Sequence, residues 1–198
     1  MFKLDPKIFS PHDLQAIDLY SNLADYYAVK YDILKTKFPD AKTIGEIGVR
    51  AGGAAWTFLQ ACPEAEYHGF DMDDKQYGTL SNGEKFTDWA KDLLKDYNFT
   101  LHKANTQLIK SLPVDKKFDF IHVDGDHSKA GVMHDLELSI KSLSDDPRAF
   151  LLIDDYTHPQ LPEVKAGVDE WLENNKLSTD CEFRKSWRGE MMIWRKVL

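Results

Sequence analysis

The segment Phe118–His127, FDFIHVDGDH, decides how the rest of the chain is interpreted. An apolar run leads into two aspartates separated by one glycine, and a histidine follows directly. A second apolar run, Phe150–Ile153, ends in Asp154 and Asp155. A buried strand that ends in carboxylates needs a metal, another cation or hydrogen-bond donors to offset their desolvation. If the two runs are neighbouring parallel strands, they bring four carboxylates into one crevice.

Length and composition predict one soluble domain. The 198 residues are 42% hydrophobic and 29% charged, which is ordinary for a globular domain with a full core. A net charge of −8 without a basic run argues against nucleic-acid binding and favours a small neutral or cationic ligand. Cys62 and Cys181 lack metal-ligand spacing, and no signal-peptide core or membrane-spanning stretch is present. We therefore expect reduced thiols, a cytoplasmic location and no membrane partner.

Strand and helix patterns alternate along the chain. They predict an α/β fold with a doubly wound, mainly parallel seven-stranded sheet (Rossmann-like) and a C-terminal antiparallel hairpin. Residues 1–39 are predicted to form an N-terminal helical cap that starts at Ser10, and residues 40–198 the main domain of one compact unit. The cap is interpreted as a packing element, although such helices also cover ligands. Ligands of doubly wound sheets bind at the carboxyl ends of the strands, where the strand order reverses.

The predicted elements have approximate bounds. The strands are expected at Thr43–Val49, Glu66–Phe70, Phe99–His102, within Phe118–His127 and at Phe150–Ile153. A surface loop is expected over Asp73–Glu84, and a short helix is expected to carry Leu108, Ile109 and Leu112.

A glycine-rich turn follows the first predicted strand, with the sequence EIGVRAGG over residues Glu46–Gly53. Glycines let a ligand approach the backbone, and the next helix offers free N–H groups. The dinucleotide motif G-x-G-x-x-G is absent, and the acidic Glu46 argues against a pyrophosphate and for a cationic ligand. Asp71, at the end of the second strand, can accept hydrogen bonds from both ribose hydroxyls. Alternatively, the glycines only permit tight packing of strand and helix.

These motifs resemble those of class I S-adenosylmethionine-dependent methyltransferases over about residues 40–198. The shared features are the strand followed by E-x-G-x-x-x-G, the acidic ends of strands two and four, and a seventh antiparallel strand. More narrowly, EIGVRAGG, HVDGDH, LLIDDY and VKAGVDEW resemble the small bacterial methyltransferases related to macrocin O-methyltransferase. The divalent-metal chemistry of that group is similar to that of catechol and caffeoyl-CoA O-methyltransferases.

The resemblance implies two cofactors, S-adenosylmethionine and a divalent metal, Mg²⁺. The implied cofactor-binding residues are Glu46, Gly48 and Gly52 around the methionine part, Asp71 at the ribose, Asn105 beside the adenine, and Asp124. The implied metal ligands are Asp124, Asp154 and Asp155. Three oxygen ligands with vacant positions suit Mg²⁺, which keeps waters that a substrate can displace.

The general base is the point at which this chain departs from those relatives. In the catechol and caffeoyl-CoA enzymes the base is a lysine three residues after the strand-four aspartate, and His127 stands there in this chain. A histidine can accept a proton near neutral pH without a large pKa shift. Asp126, Lys129 and His158 are the other candidates, and Asp126 equally suits capping of the next helix. His122, inside the strand, is expected to be a hydrogen-bonded core residue.

The implied function is a Mg²⁺-dependent O-methyltransferase that acts on a hydroxyl of a small molecule such as a sugar, a polyketide or a phenol or diol. The alternative is a protein that binds S-adenosylmethionine in an accessory or regulatory role without methyl transfer. A third hypothesis keeps the fold and the metal with another chemistry. On position alone, Tyr156, His158, Trp187 and Arg188 are expected to line the acceptor pocket. The sequence leaves the acceptor and the oligomeric state open, and a partner subunit of a homo-oligomer could complete the pocket.

Overall fold

The computed structural model describes residues 2–5, 20–73, 84–176, 181–186 and 188–194. The helices are α1 (Tyr20–Lys37), α2 (Gly53–Ala61), α3 (Phe86–Leu93), α4 (Lys129–Ser142) and α5 (Pro162–Asn174). The strands are β1 (Thr43–Ile47), β2 (Glu66–Asp71), β3 (Phe99–Lys103), β4 (Phe120–Val123), β5 (Phe150–Ile153), β6 (Glu182–Arg184) and β7 (Glu190–Trp194). The predicted helix start at Ser10, most of the predicted loop (74–83) and Trp187 lie outside the described residues.

The seven strands form one sheet in the order β3-β2-β1-β4-β5-β7-β6. Strands β1 to β5 are parallel to their neighbours, and β7 is antiparallel to both β5 and β6. This confirms the mainly parallel, doubly wound sheet and the C-terminal antiparallel hairpin. The strand order reverses between β1 and β4, so a crevice opens at the carboxyl ends of these strands.

Helices cover both faces of the sheet because the central strands are apolar on both sides. On one face, Ile121 and Leu151 belong to a buried cluster with residues of α4 and α5. On the other face, Phe120 and Leu152 belong to a cluster with α2 and with Leu34 of α1. Helix α1 is therefore built into the hydrophobic core. Among the described helices, none is long and apolar enough to cross a membrane.

One predicted strand end and one predicted helix differ most from the structure. Strand β1 ends at Ile47, before the predicted Val49, because the chain turns at Gly48 with a φ of 85°. The predicted helix around Leu108 is wrong, since the structure has only a 3₁₀ turn, Thr106–Leu108, and leaves the Leu108 side chain 80% exposed. The Asn105 side chain accepts a hydrogen bond from the Gln107 N–H, which favours this tight turn over a longer helix.

Candidate active site

A cavity of about 1200 Å³ opens at the carboxyl ends of β1, β2, β4 and β5. One half of its wall includes the turn after β1 and the ends of β2 and β3, and the other half includes segments that follow β4, β5 and β6; residues of α1 and α3 also line the cavity. Of the predicted cofactor-binding residues, the lining includes Glu46, Gly48, Asp71, Asn105 and Asp124. Gly52 does not line the cavity. Its φ is 80°, and a Cβ there would lie 3.0 Å from the Cβ of Ala90, so close packing against α3 explains this glycine.

Asp71 orders the glycine-rich turn. Its Oδ2 accepts hydrogen bonds from the backbone N–H groups of Val49, at 3.0 Å, and Arg50, at 2.9 Å. Its Oδ1 accepts another from the N–H of Asp73 at 2.9 Å. The carboxylate of β2 therefore fixes the backbone that follows β1. A ribose contact of Asp71 stays a prediction.

Asp71→Ala is expected to weaken binding of S-adenosylhomocysteine at least tenfold and to cost about 1–3 kcal/mol of stability, since three backbone N–H groups lose a charged acceptor. Asp119→Ala is the matched control, because Asp119 Oδ2 also accepts from two consecutive N–H groups, those of Lys42 and Thr43, before and at the start of β1. We expect the control to lose stability and keep its affinity in calorimetry. Equal affinities of the two variants would contradict this role of Asp71.

The loop after β4 is fixed by three side chains. Asp126 Oδ1 accepts a hydrogen bond from the Ser128 N–H at 2.8 Å, and Ser128 Oγ caps α4 by accepting from the Gly131 N–H at 3.1 Å. The alternative that Asp126 caps this helix is therefore wrong. Asp135, buried on α4, accepts from the Asp126 N–H at 3.3 Å. These bonds hold the loop so that Asp126 and His127 line the cavity.

Asp124, His127 and Asp155 form an acidic cluster in the cavity wall. His127 Nε2 lies 3.3 Å from Asp124 Oδ1 and 3.6 Å from Asp155 Oδ2. One ligand atom from each of the three residues falls within 4.8 Å of the others. Burial, reinforced by Asp154 and Asp155, raises the pKa of Asp124 to about 7. The hydrogen bond with Asp124 raises the pKa of His127.

Asp155 carries a further positive neighbour and an unsatisfied oxygen. Arg188 Nη1 lies 3.4 Å from Asp155 Oδ1 in an ion pair. That buried oxygen accepts no hydrogen bond. Asp155 also has a φ of 56°, a strained conformation for a residue with a side chain. The backbone thus holds this carboxylate, which follows β5, toward the cavity with Arg188 as its charged neighbour.

Asp154 lies behind the cavity wall and faces α1. Its carboxylate accepts a hydrogen bond from the Tyr26 hydroxyl and lies 3.1 Å from the Lys30 ammonium. Both Lys30 and Asp154 are buried, at 0% and 2% exposure. Burial opposes the charge of Asp154, but Lys30 outweighs it and the pKa of Asp154 is lowered. Metal ligation by Asp154 stays a prediction, and this arrangement gives its carboxylate a different partner.

Lys30 also contacts His122, which confirms His122 as a hydrogen-bonded core residue. Lys30 Nζ lies 3.0 Å from His122 Nε2, and His122 Nδ1 lies 2.9 Å from Glu46 Oε1. Glu46 Oε2 is buried without a hydrogen-bond partner, and Glu46 lines the cavity. Sequence reasoning overlooked Lys30. The alternation of side chains along β1 and β4 could have indicated that Glu46 and His122 share one buried face of the sheet. It could not have identified Lys30 as the residue that contacts His122.

The remaining predicted residues divide into two groups. His158 and Arg188 line the cavity, as expected for the acceptor side. Tyr156 does not line it, because its hydroxyl donates to Asp169 of α5 at 2.5 Å. Lys129 does not line it either and pairs with Glu170, so the structure does not favour Lys129 as the base.

The strand order, the reversed β7 and the cavity at the carboxyl ends of the parallel strands define the class I S-adenosylmethionine-dependent methyltransferase fold. A family model described as a methyltransferase domain matches residues 46–156, more than half of the chain. The protein belongs to this methyltransferase family. No curated protein sequence matches the chain.

Solved structures agree on the fold at low sequence identity. An O-methyltransferase from Bacillus cereus, in complex with S-adenosylhomocysteine, has a TM-score of 0.63 and 16% identity, covering 98% of this chain and 92% of its own. The O-methyltransferase TomG from Streptomyces achromogenes, in complex with S-adenosylmethionine, has a TM-score of 0.61 and 15% sequence identity. The match covers 96% of this chain and 89% of TomG. CalS10, an amino pentose methyltransferase from Micromonospora echinaspora, has a TM-score of 0.65 and 12% sequence identity. The match covers 98% of this chain and 99% of CalS10.

Proposed function

We propose that this methyltransferase uses S-adenosylmethionine to methylate a hydroxyl of a small molecule, with Mg²⁺ bound at the acidic cluster. The observation that carries the proposal is one cavity whose wall joins the glycine-rich turn to Asp124, His127 and Asp155. Asp124 follows β4 at the point where the strand order reverses, so it borders both halves. A cofactor beside the turn and an acceptor beside the cluster would meet there.

The cofactor half suits a positively charged ligand. The buried Glu46 Oε2 without a partner and the nearby Asp124 are acceptors for the ammonium of a methionine moiety or partners for a sulfonium. Asp71 and Asn105 line the same half, at the ends of β2 and β3, where the ribose and the adenine are proposed to bind. The three similar structures named above all contain this cofactor or its product.

The acidic cluster suits a hard divalent cation. Asp124 and Asp155 supply carboxylate oxygens, which Mg²⁺ prefers, and Asp155 Oδ2 faces the cluster 3.6 Å from His127 Nε2. We therefore propose that Asp124 and Asp155 hold the ion, with Asp154 as a third ligand only if it leaves Lys30. When bound, the ion would lower the pKa of a coordinated hydroxyl.

The protein residues orient the acceptor and remove its proton. Methyl transfer is an in-line displacement, so the rate depends on holding the acceptor oxygen against the methyl group. His127, partly exposed in the wall and within reach of Asp124 and Asp155, is proposed to take the hydroxyl proton at Nε2. Asp126, which is exposed in the same wall, is the second candidate. His158 and Arg188 are proposed to contact the acceptor.

Calorimetry of the purified chain tests the cofactor part of the proposal. S-adenosylhomocysteine is expected to bind, and methyl transfer from S-adenosylmethionine to a panel of phenols, diols and sugars is expected to stop on chelation. A chain that binds neither compound would overturn the proposal. Full activity in the presence of a chelator would overturn only the metal part.

Asp155→Asn is expected to lower the affinity for Mn²⁺, measured by electron paramagnetic resonance in the presence of S-adenosylhomocysteine, by at least tenfold. The reason is that an amide oxygen replaces a charged ligand of the ion. Asp119→Asn, at the amino-terminal end of the central strand β4, is the control and should bind Mn²⁺ as the wild type does. Unchanged Mn²⁺ affinity of Asp155→Asn would exclude Asp155 as a ligand.

A further inference from the structure

Four titratable residues share the face of the sheet that α1 covers. Side chains alternate along a strand, and the buried apolar residues Phe120 and Leu152 lie on this face. His122 lies two residues after Phe120 on β4, and Asp154 lies two residues after Leu152, just past the end of β5, so both share the face of these apolar residues. Glu46 on β1 is the register partner of His122, and Glu190 of β7 completes the group. The exposure of all four residues is 2% or less.

Lys30 of α1 lies over this polar group. Its ammonium is 3.1 Å from Asp154 Oδ1 and 3.0 Å from His122 Nε2. Two buried carboxylates, Asp154 and Glu190, share this face of the sheet with the ammonium. A buried ammonium can donate three hydrogen bonds and accept none.

The donor character of Lys30 fixes the tautomer of His122. Because Lys30 donates to Nε2, that nitrogen must be the acceptor, and the single proton of the neutral ring lies on Nδ1. A doubly protonated ring could not accept a hydrogen bond from the Lys30 ammonium, so this contact requires the neutral ring. Nδ1–H therefore donates to Glu46 Oε1 at 2.9 Å.

The hydrogen bond from His122 leaves the second oxygen of Glu46 available. Oε2 is buried and makes no hydrogen bond of ordinary geometry, although the buried Tyr67 hydroxyl of β2 lies close enough to interact with the Glu46 carboxylate, and Glu46 lines the cofactor half of the cavity. Pinning Oε1 fixes the plane of the carboxylate and hence the direction of Oε2. A carboxylate without this bond would rotate, and ligand binding would then have to restrict that rotation.

We propose that Lys30 and His122 are positioning residues, which orient Glu46 so that its Oε2 receives the positively charged end of the cofactor. The proposal rests on the proposed function and adds to it a dependence on α1, which lies outside the residues matched by the family model. The cofactor site is then complete only when α1 is packed on the sheet, because Lys30 reaches His122 only in that arrangement. Lys30 has no direct contact with the cavity and acts through His122.

Two substitutions of His122 separate positioning from packing. His122→Asn places an amide N–H near the position of Nδ1 and keeps the donor to Glu46, while it loses the contact with Lys30. His122→Gln places its amide near the position of Nε2 and keeps an acceptor for Lys30, while it loses the donor to Glu46. Both variants remove the same ring from the core, so a purely structural role predicts similar effects on stability and on affinity.

Calorimetry with S-adenosylhomocysteine is expected to give His122→Gln an affinity about 10- to 100-fold below that of His122→Asn, the usual effect of losing a hydrogen bond to a charged group. Urea denaturation is expected to show similar stabilities for the two. Equal affinities of the two variants, whether both high or both low, would overturn the positioning role. Failure of the wild-type chain to bind S-adenosylhomocysteine would instead overturn the proposed function.

Nuclear magnetic resonance tests the same proposal without the cofactor. Long-range ¹H–¹⁵N spectra of the wild-type chain are expected to show His122 as the neutral Nδ1–H tautomer. A neutral Nε2–H tautomer would overturn the proposal, because Lys30 could not then donate to that nitrogen. A doubly protonated ring would overturn it as well.

Discussion

Lys30→Met is expected to lower the free energy of unfolding by about 3–5 kcal/mol, because removing one partner of a buried ion pair leaves the other charge uncompensated. The Lys30 ammonium is fully buried and lies 3.1 Å from Asp154 Oδ1. Methionine has a similar length and fills most of the same space, so the loss reflects charge more than a cavity. Urea denaturation followed by circular dichroism measures the change.

Two further variants control this measurement. Lys30→Met combined with Asp154→Asn is expected to recover part of the loss, since neither residue then carries a charge. Lys37→Met is the matched control on the same helix. Lys37 pairs with Glu182 at 2.8 Å, but the two side chains are 27% and 34% exposed, and such pairs contribute about 1 kcal/mol or less. If Lys30→Met cost no more than Lys37→Met, the buried pair would not stabilise the fold.

Gly48→Ala is expected to abolish detectable binding of S-adenosylhomocysteine. Gly48 has a φ of 85°, which costs a residue with a side chain about 1–2 kcal/mol. A Cβ at this position would also overlap the carbonyl oxygen of Asp124. The backbone cannot shift freely, because the Gly48 N–H donates to the Phe70 carbonyl at 2.8 Å. Relief of the overlap therefore displaces the turn or the Asp124 loop, and both line the cavity.

Gly45→Ala is the matched control for this substitution. Gly45 lies three residues earlier on β1, and a Cβ there would lie 3.2 Å from the Phe118 side chain, which can adjust. We expect Gly45→Ala to lower the melting temperature and to retain binding in calorimetry. Retention of wild-type affinity by Gly48→Ala would show that the close approach of the two segments is not needed for the site.

Much of the fold followed from local pattern. Short apolar runs separated by helical periods predicted the parallel sheet, and the structure confirms it. Within the described part of the chain, the short helix predicted around Leu108 is wrong. The spacing of apolar residues between Asn105 and Pro113 suited a helix, but the side chain of Asn105 bonds the backbone two residues on and favours a tight turn instead.

The site was predictable in its location and less so in its contacts. Asp124 and Asp155 meet at one edge of the sheet, as expected for adjacent parallel strands. Asp154 was grouped with them because the resemblance to metal-dependent methyltransferases implies a pair of ligands at the end of the fifth strand. Successive residues point in opposite directions, however, and Asp154 faces α1 while Asp155 faces the cavity.

The sequence by itself determined that carboxylates gather where the strand order reverses, because parallel strands end at the same edge and the apolar runs set their order in the sheet. Only the tertiary structure decided which cation each carboxylate meets. A lysine in a helix is usually solvent-exposed, and no periodicity marks Lys30 as buried. Its partners, His122 and Asp154, lie more than ninety residues away along the chain. Such contacts depend on distances that arise only when α1 packs on the sheet. The segment Phe118–His127 therefore specifies where the site lies, at the carboxyl ends of the strands, and Lys30 of α1 specifies how the charge of Asp154 beside it is balanced.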